Sequence, residues 1–501
     1  MTEDNRIRSI VIVGGGTAGW MAAASFARFL KPLGCRIEVV ESDEIGSIGV
    51  GEATVPPLLD FIRVLGIDEN DLIRKTQATF KLGIQFSDWL RPGHSWCHAL
   101  GETGFAIDGV AFDAYWMKER LAGRATRLED YSLQAQAAEH GKFMRPVQAP
   151  NSPLERITYA LHFDAVLFAR YMRGYAEARG VIRTEGRVVS AVQRPADGYI
   201  EKLVLENGKM IEGDLFIDCS GFQAILIEGT LHAGFDDWSK WLPCDRAAAV
   251  PVRQTRAPAT FTLAKALDAG WQWRIPLQHR TGNGYVYCSE FISDEQALET
   301  LKAHADGEEM NDPLLINFTS GRRKQFWSKN VVALGLASGF LESLESTSIH
   351  LIQRGLALLL RLFPDLNFEP ADRDRYNAML SLEFERVRDF LLLHYTTSER
   401  NDTAFWRHCK SLPITDSLKD RLELFRGYGR ILPEDSDLFT EQSWLYLLSN
   451  QGVMPRSHDP LADALDPAVV TAALENIKSV VSECARTMPT HQEFIAKNCA
   501  V

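Results

Sequence analysis

Three groups of residues in this 501-residue sequence combine type and spacing in ways that could do chemistry. Gly14-Gly15-Gly16-Thr17-Ala18-Gly19 fits G-x-G-x-x-G, directly after the β-branched run at residues 9–13 and opening the alanine-rich run at residues 20–30. In that pattern Gly14 allows a tight turn, Gly16 lets backbone approach a pyrophosphate, and Gly19 lets the helix pack close to the strand. Thr17 and Ala18 would then present free amides and a positive helix end to the phosphates. Glu41 stands 22 residues beyond Gly19, at the end of a second apolar run over residues 36–40, placed to accept ribose hydroxyls. Lys81 lies in the alternation Phe80-Lys81-Leu82-Gly83-Ile84-Gln85-Phe86-Ser87. Its period of two predicts a half-buried strand with Lys81 opposite its apolar neighbours, where a lysine is ordinarily solvated. Glu345 precedes Ser346-Thr347-Ser348 and an apolar run from Ile349. This reads as a helix start with hydroxyl caps and an acid near its positive end, and the amides of Thr347 and Ser348 would form an anion site.

The elements that must position these groups alternate. Strand, turn, helix and strand over the first 60 residues predict a βαβ unit and a parallel sheet. Residues 188–189 and 199–205, the turn Asn207-Gly208 and residues 215–217 predict a meander that returns to that sheet. Residues 331–334 predict a further buried strand, and residues 349–363, 372–393, 415–426 and 467–487 predict helices. The fold class is therefore α/β. The expected organisation is a discontinuous nucleotide-binding module over residues 1–350, with inserted segments at about 75–150 and 225–320. A mainly helical part over residues 351–501 follows.

Composition bounds the partners. The chain is 46% hydrophobic and 24% charged, which is globular usage and excludes disordered and coiled-coil classes. With 54 basic and 66 acidic residues the net charge is −12, spread along the chain, so neither nucleic acid nor an anionic membrane surface is an expected partner. No apolar run reaches the ~18 residues of a spanning helix, and the start Met-Thr-Glu-Asp-Asn is unlike a secretory signal. The eight cysteines show no CxxC pair and the histidines no H-E-x-x-H spacing, so reduced thiols, a cytoplasmic location and no metal site are expected.

Later segments carry a specific resemblance. Asp218-Cys219-Ser220-Gly221 and residues 331–339 resemble the downstream flavin-contacting segments of FAD monooxygenases, which favours FAD over NAD. Gly270-Trp271-Gln272-Trp273-Arg274-Ile275-Pro276 matches the WxWxIP signature of the flavin-dependent tryptophan halogenases. Phe80-Lys81-Leu82-Gly83-Ile84 resembles that family's catalytic-lysine segment, and Leu344-Glu345-Ser346-Thr347-Ser348-Ile349 its LEST segment. Ile48-Gly49-Val50-Gly51-Glu52-Ala53-Thr54-Val55-Pro56 resembles its flavin strap, and His394-Tyr395 with Arg400, Asp402, Phe405, Trp406 and Arg407 is similar to its later segment. The resemblance runs from residue 10 to about residue 410.

The resemblance implies an FAD-binding Rossmann-like module of the GR2/monooxygenase type, with mixed sheets and a helical part covering the substrate. It implies a halogenase that takes FADH2 from a separate flavin reductase and uses O2 to oxidise chloride or bromide to hypohalous acid. Gly14, Gly16, Thr17, Ala18, Gly19, Glu41, Gly51, Ala53, Val188, Leu336 and Ser346 would hold the flavin, and Thr347 and Ser348 the halide. The wall of Trp271, Trp273, Ile275 and Pro276 would keep substrate from the flavin while the small oxidant crosses. Lys81 would meet that oxidant, as an ammonium that hydrogen-bonds it or as an amine that forms a haloamine. Glu345 would accept the ring proton or orient the oxidant with Lys81.

The sequence departs from the family pattern in three places. Ser348 stands where the family has Gly, so a positive φ there would be strained and the halide site reshaped. His98 falls in the indole-pocket segment, but Leu100 replaces an aromatic. Residues 443–455, which include Trp444 and Met454, lack the tyrosine pair and acid that clamp free tryptophan, so indole or a larger indole-bearing compound is the expected substrate. His98 is equally readable as a core residue, and an aromatic at helical spacing such as Trp444 is more often core. A homodimer is a habit of the family. The alternative activity is that of an FAD-dependent aromatic hydroxylase, which shares the fingerprint and the downstream flavin segments.

Overall fold

The computed structural model describes residues 5–45, 51–432 and 437–499. The chain divides into two units, each assembled from three stretches of sequence.

The first unit comprises Met1–Ala78, Phe163–Ser239 and Phe318–Glu385. Its six-stranded sheet runs in the order Trp327–Ser328, Val331–Ala333, Leu215–Asp218, Ser9–Val13, Arg36–Glu41 and Ile182–Glu185. All neighbours are parallel except the antiparallel edge strand Trp327–Ser328. Ile10, Val11, Ile12, Ile37, Val39, Phe216 and Val332 are completely buried. A parallel sheet is covered on both faces, which is why these strands read as continuous apolar runs rather than alternations. The helix Thr17–Phe29 follows the first strand through the glycine run. The predicted meander is present as Val188–Gln193, Ile200–Leu205 and Met210–Glu212, all antiparallel. It turns at Asn207-Gly208, where Gly208 has φ +80° and donates to the Leu205 carbonyl at 2.8 Å. The chain then re-enters the parallel sheet as Leu215–Asp218, so the fold is the expected Rossmann-like α/β arrangement.

The second unit comprises Thr79–His162, Lys240–Asn317 and Arg386–Val501. Its seven-stranded sheet runs Leu314–Asn317, Arg246–Arg253, Arg280–Tyr287, Gly270–Pro276, Phe261–Leu267, Gly83–Ser87 and Ser95–Ala99. Only Phe261–Leu267 and Gly83–Ser87 are parallel neighbours. Trp273 lies directly across from Gly284, and a Cβ on Gly284 would come within 2.0 Å of the indole ring. A bare backbone is therefore required for that tryptophan to lie flat on the sheet. The helical pattern expected after residue 350 is realised in both units: Ser348–Arg361 belongs to the first, Pro370–Thr396 has residues in each, and Ala404–Lys410, Asp416–Tyr428, Glu441–Asn450, Pro467–Thr487 and His491–Asn498 belong to the second.

One local expectation changes. The alternation at residues 80–87 predicts a single half-buried strand, but the strand breaks at Leu82. Thr79–Lys81 pairs antiparallel with the segment Ala160–His162, whereas Gly83–Ser87 joins the seven-stranded sheet. Residues 78–84 are all buried, so the face that alternation assigns to solvent is covered as well.

Candidate functional site

In the first unit the fingerprint folds as its glycines dictate. Gly14 has φ +106°, and a Cβ on it would lie 2.2 Å from the Cys219 carbonyl oxygen. A Cβ on Gly19 would lie 1.9 Å from the Gly14 carbonyl oxygen. At Gly16, the extended N-cap of Thr17–Phe29, a Cβ would meet nothing within 4 Å. No side chain caps this helix and no acid occupies its first turn, so its amides stay available to a phosphate. Glu41 is fixed at the strand end, accepting from Trp20 Nε1 at 3.3 Å and pairing with Arg183 at 2.5 Å and Arg173 at 3.5 Å. An open cradle at Gly16 beside a pre-oriented carboxylate fits an adenine dinucleotide.

The other expected flavin residues occupy distinct places in this unit. Gly335 has φ +64° and would bring a Cβ within 2.7 Å of Ala18 Cβ, so the turn Gly335–Ala337, which carries half-buried Leu336, packs on the cradle. Val188 is buried at the start of its strand, and Gly51 and Ala53 are buried on the strand Gly51–Ala53. Ile48, Gly49 and Val50 of the strap segment lie outside the described residues. The Asp218 carboxylate accepts from the amides of Ser220, Leu226 and Ile227, so it braces its own loop.

Also in this unit, the turn Ser343–Glu345 leads into the helix Ser348–Arg361. Left-handed backbone is found at Ser346, with φ 61° and ψ 38°, and the first helical residue is Ser348. The strain expected at Ser348 therefore falls two residues earlier, a conformation that costs a non-glycine residue on the order of 1–3 kcal/mol and clusters at functional sites. Ser348 Oγ meets Ser343 Oγ at 2.6 Å. The hydroxyl cap read from the sequence does not form: Thr347, the N-cap, makes no side-chain cap bond. By contrast, Thr403, Thr415 and Thr440 each cap their own helices. Thr347 is completely buried and its Oγ1 has no hydrogen-bond partner among the described residues. Uncapped amides beside a buried, unpartnered hydroxyl suit a small anion. Glu345, 2% exposed, places a carboxyl group on the same turn.

In the second unit Lys81 is 0% exposed. Two buried histidines lie at its strand. His162, directly opposite Thr79, has its Nδ1 3.1 Å from Thr79 Oγ1 and its Nε2 2.9 Å from Thr262 Oγ1. Thr79 Oγ1 itself donates to the Pro276 carbonyl at 2.6 Å. Since the Thr79 proton is used there, His162 Nδ1–H donates to Thr79 and Nε2 accepts from Thr262. Burial, then the Lys81 charge and His491, push the His162 imidazolium well below its usual range. His491 Nε2 accepts from the Phe80 amide at 3.0 Å, and its Nδ1–H donates to the Pro258 carbonyl at 2.8 Å. Burial lowers His491 to about 4. Neither histidine has a motif signature, and they stand 83 and 411 residues from Thr79 and Phe80.

An aromatic wall belongs to the same unit. Phe86 stacks on Trp96 at 4.6 Å, and His98 lies 5.9 Å from Phe390 and 6.0 Å from Tyr446. Phe390 meets Trp444 edge-on at 4.9 Å and stacks on Phe439 at 3.7 Å. Trp444, 3% exposed, also lies under the Arg421 guanidinium at 4.3 Å. Half-buried Leu100 donates its amide to the Leu82 carbonyl at 2.8 Å, next to Lys81 in the chain. Trp271 and Trp273 are 6.2 Å apart, with Ile275 and Pro276 buried at the end of their strand. Met454 is 37% exposed on the segment after Glu441–Asn450.

The histidine geometry sets a pH dependence. A folded-state value of about 4 for His491 against an ordinary 6.5 means the unfolded chain binds the extra proton between those values. Stability is therefore complete above about pH 6.5 and is lost as pH falls towards 4, by about 3 kcal/mol for this one group. Urea unfolding from pH 7.5 down to pH 5 should show about 2 kcal/mol of that loss, and His491→Gln should flatten the slope.

The sequence matches the tryptophan halogenase family over residues 9–467. The chain belongs to that family. It is 34% identical to tryptophan 6-halogenase SttH of Streptomyces toxytricini, covering 97% of each chain, and 32% identical to tryptophan 7-halogenase RebH of Lentzea aerocolonigenes, covering 98% of each. Among solved structures, Xcc4156, a flavin-dependent halogenase from Xanthomonas campestris, superposes with a TM-score of 0.95 at 46% identity over 99% of both chains. BrvH, a flavin-dependent halogenase from Brevundimonas sp. BAL3, gives 0.95 at 45% identity over 99% of both. The protein is thus an enzyme of the flavin-dependent halogenases, oxidoreductases that depend on a separate flavin reductase. Among the described residues no helix is long and apolar enough to cross a membrane, and no group of three His, Cys, Asp or Glu side chains could hold a metal ion.

Proposed function

We propose that this halogenase uses reduced FAD, O2 and chloride or bromide to halogenate an electron-rich aromatic ring, with indole or an indole-bearing compound as the substrate class. The observation that carries the reading is Lys81, a fully buried lysine in a unit whose interior is lined with aromatic rings. Bound reduced FAD, with O2, supplies the two-electron oxidation that turns halide into hypohalous acid. The uncapped amides of Ser348–Arg361 and the Thr347 hydroxyl hold the halide, and the residues of the glycine cradle with Glu41 hold the nucleotide. Lys81 makes the halogen electrophilic, either by a hydrogen bond from its ammonium or by carrying the halogen as a haloamine. The ring carbon takes the halogen, and Glu345 is the base assigned to the proton that the ring then releases.

Charges near the wall favour a substrate without a zwitterionic end. Arg421 and Arg386 both face Asp437, at 3.6 and 2.9 Å, and the Tyr446 hydroxyl is engaged with Thr103 at 2.8 Å. These groups satisfy one another rather than standing ready for an amino acid. The test offers indole and free tryptophan with FAD, a flavin reductase, NADH, O2 and halide, and reads kcat/KM for each. Halogenated indole should exceed halogenated tryptophan by about tenfold or more, the scale of discrimination that unmatched polar groups provide. Equal or faster turnover of free tryptophan would contradict the substrate class.

A further inference from the structure

We propose that His491, on the last helix of the chain, is a positioning residue for Lys81, and that the segment around it sets the coupling between oxidant formation and ring halogenation. The inference rests on the reading of Lys81 as the halogen-directing residue.

The backbone on both sides of Lys81 is tied to the same short segment. The Phe80 amide donates to His491 Nε2 at 3.0 Å, and His491 Nδ1–H donates to the Pro258 carbonyl at 2.8 Å. Two residues further along that segment, the Thr260 carbonyl accepts the Leu82 amide at 2.6 Å. His491 is therefore a neutral imidazole bridging Phe80 to residues 258–260, with one nitrogen accepting and the other donating. The Phe80 ring is held in the same way. It stacks on Phe143 at 4.0 Å and meets His491 and Phe494 edge-on at 6.0 and 5.3 Å. The helix His491–Asn498 that brings these two rings starts with a capping box between Thr490 and Glu493. Its entry is pinned further, with the His491 amide on the Gly141 carbonyl at 2.9 Å and the Phe143 amide on the Pro489 carbonyl at 3.1 Å.

A strand of only three residues, Thr79–Lys81, has little rigidity of its own. Its place is over-determined by partners from distant parts of the sequence: the His491 bridge holds the amide of Phe80, the residue before Lys81, and Thr260 holds the amide of Leu82, the residue after it. A displacement approaching 1 Å of a reacting group costs up to ~10²-fold in rate. Loss of the acceptor at Phe80 leaves a buried amide to find a new partner, and the strand shifts to do so.

Two substitutions separate positioning from packing. His491→Phe keeps a ring against Phe80 and removes both hydrogen bonds. His491→Gln keeps an acceptor and a donor about the same distance apart. Each is assayed with FAD, a flavin reductase, NADH, O2, bromide and indole, with a rapid scavenger of free hypohalous acid added in a parallel reaction. His491→Phe should lower kcat for haloindole by about tenfold or more, leave FAD affinity unchanged, and raise the share of oxidant caught by the scavenger. His491→Gln should restore most of the coupling. Equal loss in both variants in step with lowered melting temperature, or wild-type coupling in His491→Phe, overturns the proposal. Lys81→Ala run alongside isolates its premise: halogenation retained by Lys81→Ala rejects the lysine reading itself. A dead Lys81→Ala beside a fully coupled His491→Phe rejects only the role of His491.

Discussion

Gly19→Ala is expected to abolish FAD binding while the fold persists. The added methyl would sit 1.9 Å from the Gly14 carbonyl oxygen, an approach no Cβ tolerates, so the helix Thr17–Phe29 must move away from the turn that precedes it. The Gly14 side has little room to yield, because its amide is tied to the Val40 carbonyl at 2.8 Å and its backbone holds φ +106°. The helix start therefore shifts relative to Gly16, and the amides that face the phosphates shift with it. Hydrogen bonds to charged groups are worth ~1.5–3 kcal/mol each, so misplacing two of them weakens binding by roughly 10²–10⁴-fold. Overpacking adds ~1–3 kcal/mol of destabilisation. Gly174→Ala is the matched control: it lies in the helix Ala165–Glu177, and a Cβ there meets nothing within 4 Å. It should bind FAD normally and gain a few tenths to about 1 kcal/mol of stability. FAD titration of both variants checks this, and Gly19→Ala binding within about threefold of wild type would sink the account of the fingerprint.

The second large effect is at Lys81. Lys81→Met keeps the volume and the apolar stem but removes the amino group. Halogenation should fall by at least about 10²–10⁴-fold, the range that a positioned proton donor or a nucleophile contributes. Stability should stay close to that of the wild type, since methionine keeps the volume and the apolar stem of the buried side chain. A dead enzyme with an undiminished melting temperature would show a side chain retained for chemistry and not for the fold. Lys81→Ala should be equally inactive but less stable, because it leaves a void where residues 78–84 are all buried. Product quantified by mass and unfolding followed by heat distinguish the two variants.

How much of this was legible beforehand depends on how local the cause is. The glycine run, its flanking strands and Glu41 obey short-range rules, and each sits where those rules put it. The meander was readable because Asn207-Gly208 marks its own turn. At Lys81 the period-two reasoning failed for a physical reason. Alternation reports the two faces of one strand, and it does not reveal that a second layer covers the polar-looking face. The strand break at Leu82 and the arrival of His162 and His491 are pairings across 83 and 411 residues, which no window of sequence contains. The left-handed residue is Ser346 and not Ser348, because a Ser-Thr-Ser run offers no signal of which member turns. Residue type also could not separate Trp444 from Met454, since burial depends on Arg421, Phe390 and Phe439 gathering around the first and not the second.

The central claim is that a halogen, and not an oxygen atom, reaches the ring. The direct measurement is one reaction with FAD, flavin reductase, NADH, ¹⁸O2, bromide and indole, read by high-resolution mass spectrometry. The expected product is bromoindole with the bromine isotope doublet and no ¹⁸O in the aromatic product. A hydroxylated indole carrying ¹⁸O, formed equally well without bromide, would contradict it.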